Sequence, residues 1–324
     1  MFCAAAGLML ALVPQVIWIV CRVVGKIFGH PVSFGPFGWT GLGLAVLFWA
    51  VMAYGHYIGQ WKIETTEIRY HNSSLPEAFD GFRIVHISDM HLSTFDSAPE
   101  ELERIVETVN ALEPDLICFT GDLVTVGREE AEPYTETLRK MKAGSGVVSV
   151  LGNHDFLIYN HMLTDEDARE KAVEELAAYQ TDALGWHLLR NSHHRICKDD
   201  GSHITIAGVD NANCSDQGFR TIDRGDLTKA MEGAEGFTIL LTHDPTHWRH
   251  EVLSEARVPL TLSGHTHKAQ VELFGWTPAS WMFSESGGMY REGDMSLYVN
   301  SGLGCTLPFR IGVGPEITLI VLKR

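Results

Sequence analysis

The sequence predicts an α/β domain behind an apolar amino-terminal segment. Three observations carry this. Short β-branched runs alternate with amphipathic stretches after Trp61. The apolar excess is concentrated before it. Five of the short runs end in Asp, His or Asn beside Gly. Of the chain's 25 basic residues only Arg22 and Lys26 precede residue 61, and no acidic residue does. The remainder therefore holds 23 basic against 41 acidic side chains, a formal charge of −18. Such a domain is a poor nucleic-acid binder, because phosphate neutralisation by Lys and Arg supplies that affinity. It can attract an anion where metal ions invert the local field.

Residues 2–21 and 38–59 lack Asp, Glu, Lys and Arg. Each is long enough for a helix to cross about 30 Å of hydrocarbon. Trp18, Trp39, Trp49, Tyr54, Tyr57 and Trp61 include several near the predicted ends, where interfacial aromatics belong. The first stretch lacks the basic flank of a signal peptide. The domain expectation is a membrane anchor over 1–60 and a globular domain over 61–324, at the cell membrane and multi-pass. Arg22 and Lys26, expected in the short connection, balance Lys62 and Arg69 just after the second stretch, so the positive-inside rule selects no side.

The six cysteines, Cys3, Cys21, Cys118, Cys197, Cys214 and Cys305, form no C-x-x-C pair and no framework. Phe82–Ser88, Leu116–Thr120, Val147–Leu151, Thr238–Thr242 and Val258–Leu262 read as buried strands. His203–Val209, Gln270–Phe274, Ser296–Val299 and Ile317–Leu322 read as further strands without long helices between them, which implies a mixed sheet or two sheets. Ser97 and Glu100 read as a capping box before Leu102, Ile105, Val106 and Val109 at helical spacing. A second helix is expected from about Asp165 to Tyr179, capped by Thr164.

The five strands run into Asp89-Met90-His91, Gly121-Asp122, Gly152-Asn153-His154-Asp155, His243-Asp244 and Gly264-His265-Thr266-His267. The carboxyl ends of α/β strands are where ligands bind. In D-x-H and H-x-H both side chains can turn to one point as the chain bends, and Gly121, Gly152 and Gly264 permit sharp bends. Carboxylate and imidazole donors without Cys suit Mn²⁺, Fe²⁺ or Zn²⁺. His86, His193, His194, His247 and His250 fall outside these clusters and read as surface or satisfied core residues. Asp244 reads as a residue behind the ligands or a helix cap.

This ordered set resembles the calcineurin-like metallophosphoesterase superfamily over roughly residues 82–310. Asn300-Ser301-Gly302-Leu303-Gly304, Leu307-Pro308 and Pro315-Glu316-Ile317 look like its membrane-associated bacterial branch, similar to UDP-2,3-diacylglucosamine pyrophosphatases. The resemblance implies a four-layer α-β-β-α sandwich of two mixed sheets, preceded here by transmembrane helices. It implies two divalent ions, with Mn²⁺ preferred over Fe²⁺ or Zn²⁺. Asp89, His91, Asp122 and His267 would hold one; Asp122, Asn153, His243 and His265 would hold the other. Asp122 would bridge, and His154 would serve as the catalytic outer histidine. The implied reaction is hydrolysis of a phosphate ester or pyrophosphate bond, lipid-linked by preference, by metal-activated water. The alternatives are a tethered phosphodiesterase or phosphomonoesterase for soluble substrates, and a non-catalytic binding protein.

Two departures stand out. Thr125 occupies a position where the family often has Asp to orient the outer histidine, so that either Asp155 orients it instead or the histidine is held less tightly. Lys268-Ala269 stand where Gly-Gly is frequent. The segment Phe274-Gly275-Trp276 and Trp281-Met282-Phe283 reads as a packed hydrophobic hairpin or as an apolar lip.

Overall fold

The computed structural model describes residues 2–324. The chain divides into two compact units, 1–59 and 60–324. The first consists of helices α1 (Phe2–Ile27) and α2 (Gly35–Tyr57). Both are long and apolar enough to cross a membrane. They approach closely at Gly41, where a Cβ would lie 2.4 Å from the Ala11 carbonyl oxygen, as small residues allow in apolar helix pairs. Arg22 and Lys26, expected in the connection, sit in the last turns of α1. Arg22 stacks on Trp18.

The second unit contains strands β1 (Glu64–His71), β2 (Arg83–Ile87), β3 (Leu116–Phe119), β4 (Val147–Ser149), β5 (His187–Leu188) and β6 (Ser192–Cys197). They are followed by β7 (His203–Gly208), β8 (Phe237–Leu241), β9 (Leu260–Ser263), β10 (Gly288–Glu292), β11 (Met295–Val299) and β12 (Glu316–Lys323). One sheet has the order β1-β12-β2-β3-β4-β5 and the other β10-β11-β9-β8-β7-β6. Each mixes parallel and antiparallel pairs: β2-β3-β4 run parallel while β12 is antiparallel to β2, and β7-β8-β9 run parallel while β6 is antiparallel to β7.

Period-2 alternation sorts the central strands' side chains into two faces. Ile84, Cys118 and Val148 meet Ile206, Ile239 and Leu262 between the sheets. Val85, Ile117 and Phe119 face outward onto helices α3 (Pro99–Ala111) and α4 (Glu166–Ala178), packing with Leu102, Ile105 and Leu176. On the other outer face Ala207, Leu240 and Val299 pack with Leu227 of α5 (Leu227–Met231) and with Trp248 and Val252. The result is the expected four-layer α-β-β-α sandwich.

Several local expectations are corrected. α3 begins with Pro99 at its first turn, Ala98 precedes it, and no side chain caps it, so Ser97 and Glu100 form no capping box. Pro at this position needs no donor and presets the helical φ. α4 is capped by Asp165, not Thr164, through its carboxylate and the Ala168 N–H at 2.9 Å. Gln270–Phe274 is not a strand. His267, Lys268, Ala269 and Gln270 all have positive φ, which an extended strand cannot contain. Only isolated bridges from Val271 to Ile311 and from Leu273 to Trp276 remain.

Trp248 is fully buried in the outer core of the second sheet. Trp248→Ala is expected to cost about 3–5 kcal/mol. At ~2–4 °C per kcal/mol for a domain of this size, thermal unfolding of the detergent-solubilised full chain should fall by roughly 6–20 °C. A smaller shift would mean that this layer does not support the fold.

Candidate metal centre

The five motif clusters do converge. Asp89 and His91 follow β2, Asp122 follows β3, Asn153 and His154 follow β4, His243 follows β8, and His265 and His267 follow β9. Their donor atoms form three compact groups: Asp89, His91 and His267; His91, Asp122 and His154; and Asp122, His243 and His265. All are buried except His154, which is half-buried at the rim.

Asp122 sits at the centre. Its Oδ1 accepts the His154 backbone N–H at 2.8 Å. Its Oδ2 lies 3.2 Å from His243 Nε2 and 3.6 Å from His91 Nε2. His91 Nε2 is 3.2 Å from His267 Nε2, which is 3.3 Å from Asp89 Oδ1. His265 Nδ1 is 3.2 Å from His243 Nε2.

The outward nitrogens of three imidazoles have acceptors or hydroxyls behind them. His243 Nδ1–H donates to the Thr120 carbonyl at 2.7 Å. His265 Nε2 is 2.9 Å from Gln217 Oε1. The Gln217 amide in turn donates to Asp244 at 2.5 Å, which fixes its carbonyl toward the histidine. His91 Nδ1 lies 3.3 Å from the Thr125 hydroxyl. In the neutral tautomers these contacts set, the lone pairs of His243 Nε2 and His265 Nδ1 face each other. That pairing needs a proton or a cation between them. Asn153 supplies a second test. Its Nδ2 donates to Tyr159 Oη at 3.0 Å, while its buried Oδ1 has no hydrogen-bond partner among the described residues. A buried carbonyl oxygen left without a donor, in the residue before His154, is one a divalent cation could use. The residues present therefore fit two cations.

The electrostatics agree. Burial depresses His91 to about 3 and His265 to about 4, and takes His267 well below its usual range. These imidazoles are neutral at pH 7, the form that ligates. Burial opposes charge on His243 too, yet Asp122 and Asp89 raise it to about 10. A cation entering here displaces that proton. Burial raises Asp89 to about 6. Burial also opposes the Asp122 charge, but His243 and His154 hold that carboxyl well below its usual range.

Asp155 does not orient His154, which removes the first of the two sequence alternatives. His154 Nδ1–H donates at 2.8 Å to the backbone carbonyl of Thr125. The carbonyl replaces the carboxylate that the family often places there. Asp155 instead accepts the backbone N–H groups of Asp122, Leu123, Val124 and Gly152 at 2.7–3.3 Å. Burial raises its carboxyl to about 7, but both oxygens accept N–H donors, so we assign it ionised. Four residues escaped the sequence reading: Gln217; Tyr159, stacked 4.3 Å from His154; Glu130, which accepts the Thr125 and Val126 N–H groups; and the buried Arg310. None carries a local motif. His86 is buried and bonded to Thr120 through Nε2 at 3.0 Å, and His247 is bonded to Thr242 and Glu251. Neither lies in the ligand groups.

Comparison with known proteins agrees with this geometry. The sequence profile of the family described as calcineurin-like phosphoesterase matches residues 82–269. The chain is 34% identical over 287 residues to the uncharacterised metallophosphoesterase YkuE of Bacillus subtilis, covering 83% of this chain and 89% of that protein. It is 30% identical to a transmembrane protein with metallophosphoesterase domain from Danio rerio, over 87% of this chain and 62% of the fish protein. It is 26% identical to the UDP-2,3-diacylglucosamine pyrophosphatase LpxG of Chlamydia trachomatis, over 77% and 87% of the two chains. The chain belongs to the calcineurin-like phosphoesterase family, and it is a metallophosphoesterase that hydrolyses phosphoester or anhydride bonds.

Backbone packing gives a test of the site. A Cβ on Gly264 would lie 2.0 Å from Ser88 Oγ and 2.3 Å from Asp89 Oδ2. Gly264→Ala should weaken Mn²⁺ binding by ~10–100-fold while the far-ultraviolet circular dichroism stays unchanged. Unaltered affinity in equilibrium dialysis would show that Asp89 is not a ligand.

Proposed function

We propose that this family member is a membrane-anchored two-metal hydrolase whose substrate is a lipid-linked phosphate or pyrophosphate. Asp89, His91, Asp122 and His267 would hold one ion; Asp122, Asn153, His243 and His265 would hold the other. Mn²⁺ is the ion we favour, with Fe²⁺ and Zn²⁺ compatible with the same oxygen and nitrogen donors. The observation that carries the reading is the pair of facing imidazole nitrogens, 3.2 Å apart, beside the buried Asp122 carboxylate. No Lys or Arg makes an ion pair with that carboxylate among the described residues.

Divalent ions bound there supply Lewis acidity toward phosphoryl oxygens and acidify water. The chain's own contribution is positional. The Thr125 carbonyl fixes the tautomer of His154 by taking its Nδ1 proton in a hydrogen bond, and Tyr159 stacks on the ring. His154 Nε2 is then the nitrogen left to act on substrate. As imidazolium it would stabilise the developing phosphoryl charge or give its proton to the leaving oxygen. The half-buried position at the rim suits a group that must meet substrate and recover a proton from solvent.

Two features support the anchored, lipid-directed reading. Residues 1–60 supply the two apolar helices, with 61–324 as the catalytic domain. One relative is named a UDP-2,3-diacylglucosamine pyrophosphatase, and another a transmembrane protein. The partners proposed are thus the membrane and a phosphate-containing lipid, with no nucleic acid.

The test is hydrolysis by the full chain in detergent, with Mn²⁺ or chelator, on matched phosphate monoester, diester and pyrophosphate-linked lipid. Metal-dependent turnover fastest on the lipid is expected. Faster turnover of a soluble diester would favour a tethered broad-specificity enzyme, and no turnover with metal bound would favour a binding protein. Asp122→Ala should lose both metal and activity. His154→Gln should keep its metal but lose ~10²–10⁴-fold in kcat; undiminished kcat would remove His154 from the mechanism.

A further inference from the structure

Residues 273–283 read Leu-Phe-Gly-Trp-Thr-Pro-Ala-Ser-Trp-Met-Phe, eleven positions without a charge in an otherwise acidic domain. The segment is built as a rigid projection. Leu273 and Trp276 exchange backbone hydrogen bonds at 2.9 and 3.0 Å across a two-residue turn. Its central residues Phe274 and Gly275 have φ of 54° and 80°, as in a type I′ turn. That turn favours Asn or Asp at its first central position. Here it carries a phenylalanine that is 109% exposed, more than in an extended peptide. Trp281 is 79% exposed and packs edge-on against Trp276, 5.2 Å away. Such exposure gains nothing for folding.

The base of the projection is tied down. Gln270 donates to the Leu307 and Phe309 carbonyls and accepts from Thr306 and Leu307. Thr277 donates to the Lys268 carbonyl. These bonds bring the exposed Leu307 to the same base. At its inner end Phe283 is buried, with its ring 5.5 Å from that of His265. The apolar surface therefore runs from the metal centre outward to a convex tip.

We propose that this hairpin inserts its aromatic tip into the bilayer surface and seats the mouth of the active site there. Three observations select a lipid surface as the occupant. The tip is convex and apolar, which suits penetration of a soft interface. Its Phe, Trp, Leu and Met content matches interfacial insertion. The acidic remainder of the domain would be repelled by an anionic membrane, so an uncharged projection is the part able to approach. The inference rests on the membrane-anchor reading but not on the identity of the substrate.

The test places a benzophenone-bearing phenylalanine at position 274 of the full chain in phosphatidylcholine vesicles. The same probe at Asp200, on the exposed turn between β6 and β7, is the control. Mass spectrometry should find lipid adducts ~10-fold more abundant from position 274 than from position 200. Equal yields, or adducts from 274 to α1, α2 or a second copy instead of lipid, would overturn the proposal. So would extraction of the chain by alkaline carbonate, which would remove its membrane premise. Turnover of the matched phosphate monoester, diester and pyrophosphate-linked lipid by the labelled chain is read separately. Lipid adducts without turnover would leave the docking face standing while the hydrolase reading fell.

Discussion

Two carboxylates, Asp89 and Asp122, are buried side by side, and imidazoles are their only ion-pair partners among the described residues. Removing a carboxylate from water costs several kcal/mol unless charge is supplied nearby. The arrangement of the active face follows from that demand. His243 is driven toward its cationic form because it lies between the two acids, while His91, His265 and His267 stay neutral. A site with this composition is incomplete as protein alone. Divalent cations complete it, and the overall acidity of the domain then ceases to oppose an anionic substrate.

Convergence of so many donors on one point has a conformational cost. Asp89, His91, Asp122, His265 and His267 all adopt positive φ. For residues with a Cβ that region is disfavoured by roughly 1–2 kcal/mol each, and it persists only where the surroundings over-determine it. Three buried or half-buried charged side chains provide that support by gathering backbone groups. Asp155 collects four N–H groups around Asp122. Glu130 collects those of Thr125, Val126 and Gly127. Arg310 collects the carbonyls of Ser301, Gly302, Gly304 and Gly314. Leu303 and Gly304 in turn donate their N–H groups to the Asp89 carbonyl. Strain at the ligands is offset by charge-assisted bonds to the loops that carry them.

The same distinction explains what the sequence disclosed. The central strands were legible because both faces are buried, so they read as continuous apolar runs ending at ligands. The four strands that escaped notice, β1, β5, β6 and β10, are the four sheet edges. β1 reads Glu-Thr-Thr-Glu-Ile-Arg-Tyr-His and is mostly exposed; an edge of this kind is kept polar to discourage further pairing. All proposed ligands stood in local motifs, and the structure gathers the Asp and His residues among them into three compact groups. Their supports did not stand in motifs, because Gln217, Tyr159 and Arg310 reach the site from elements remote in sequence. The orientation of His154 was illegible for another reason. Its partner is the carbonyl of Thr125, and a backbone acceptor leaves no trace in residue type.

The turn after the last ligand joins these threads. From His267 to Gln270 four successive residues are left-handed, and none is glycine. Glycine at 268 and 269 would relieve the strain but would also loosen the chain. Lys268 instead lays its stem over Gly287, where a Cβ would lie 2.4 Å from Lys268 Cε, and pairs with Glu272. The turn is thereby fixed from both sides, by His267 in the metal centre and by Gln270 in the 306–311 loop. A hairpin launched from so constrained a turn cannot swing independently of the ligands. Contact of its tip with a membrane would therefore orient the metal centre as a body and leave the ligand geometry intact. That is what the proposed interfacial substrate would require, since the two carboxylates on which the site depends would stay undisturbed.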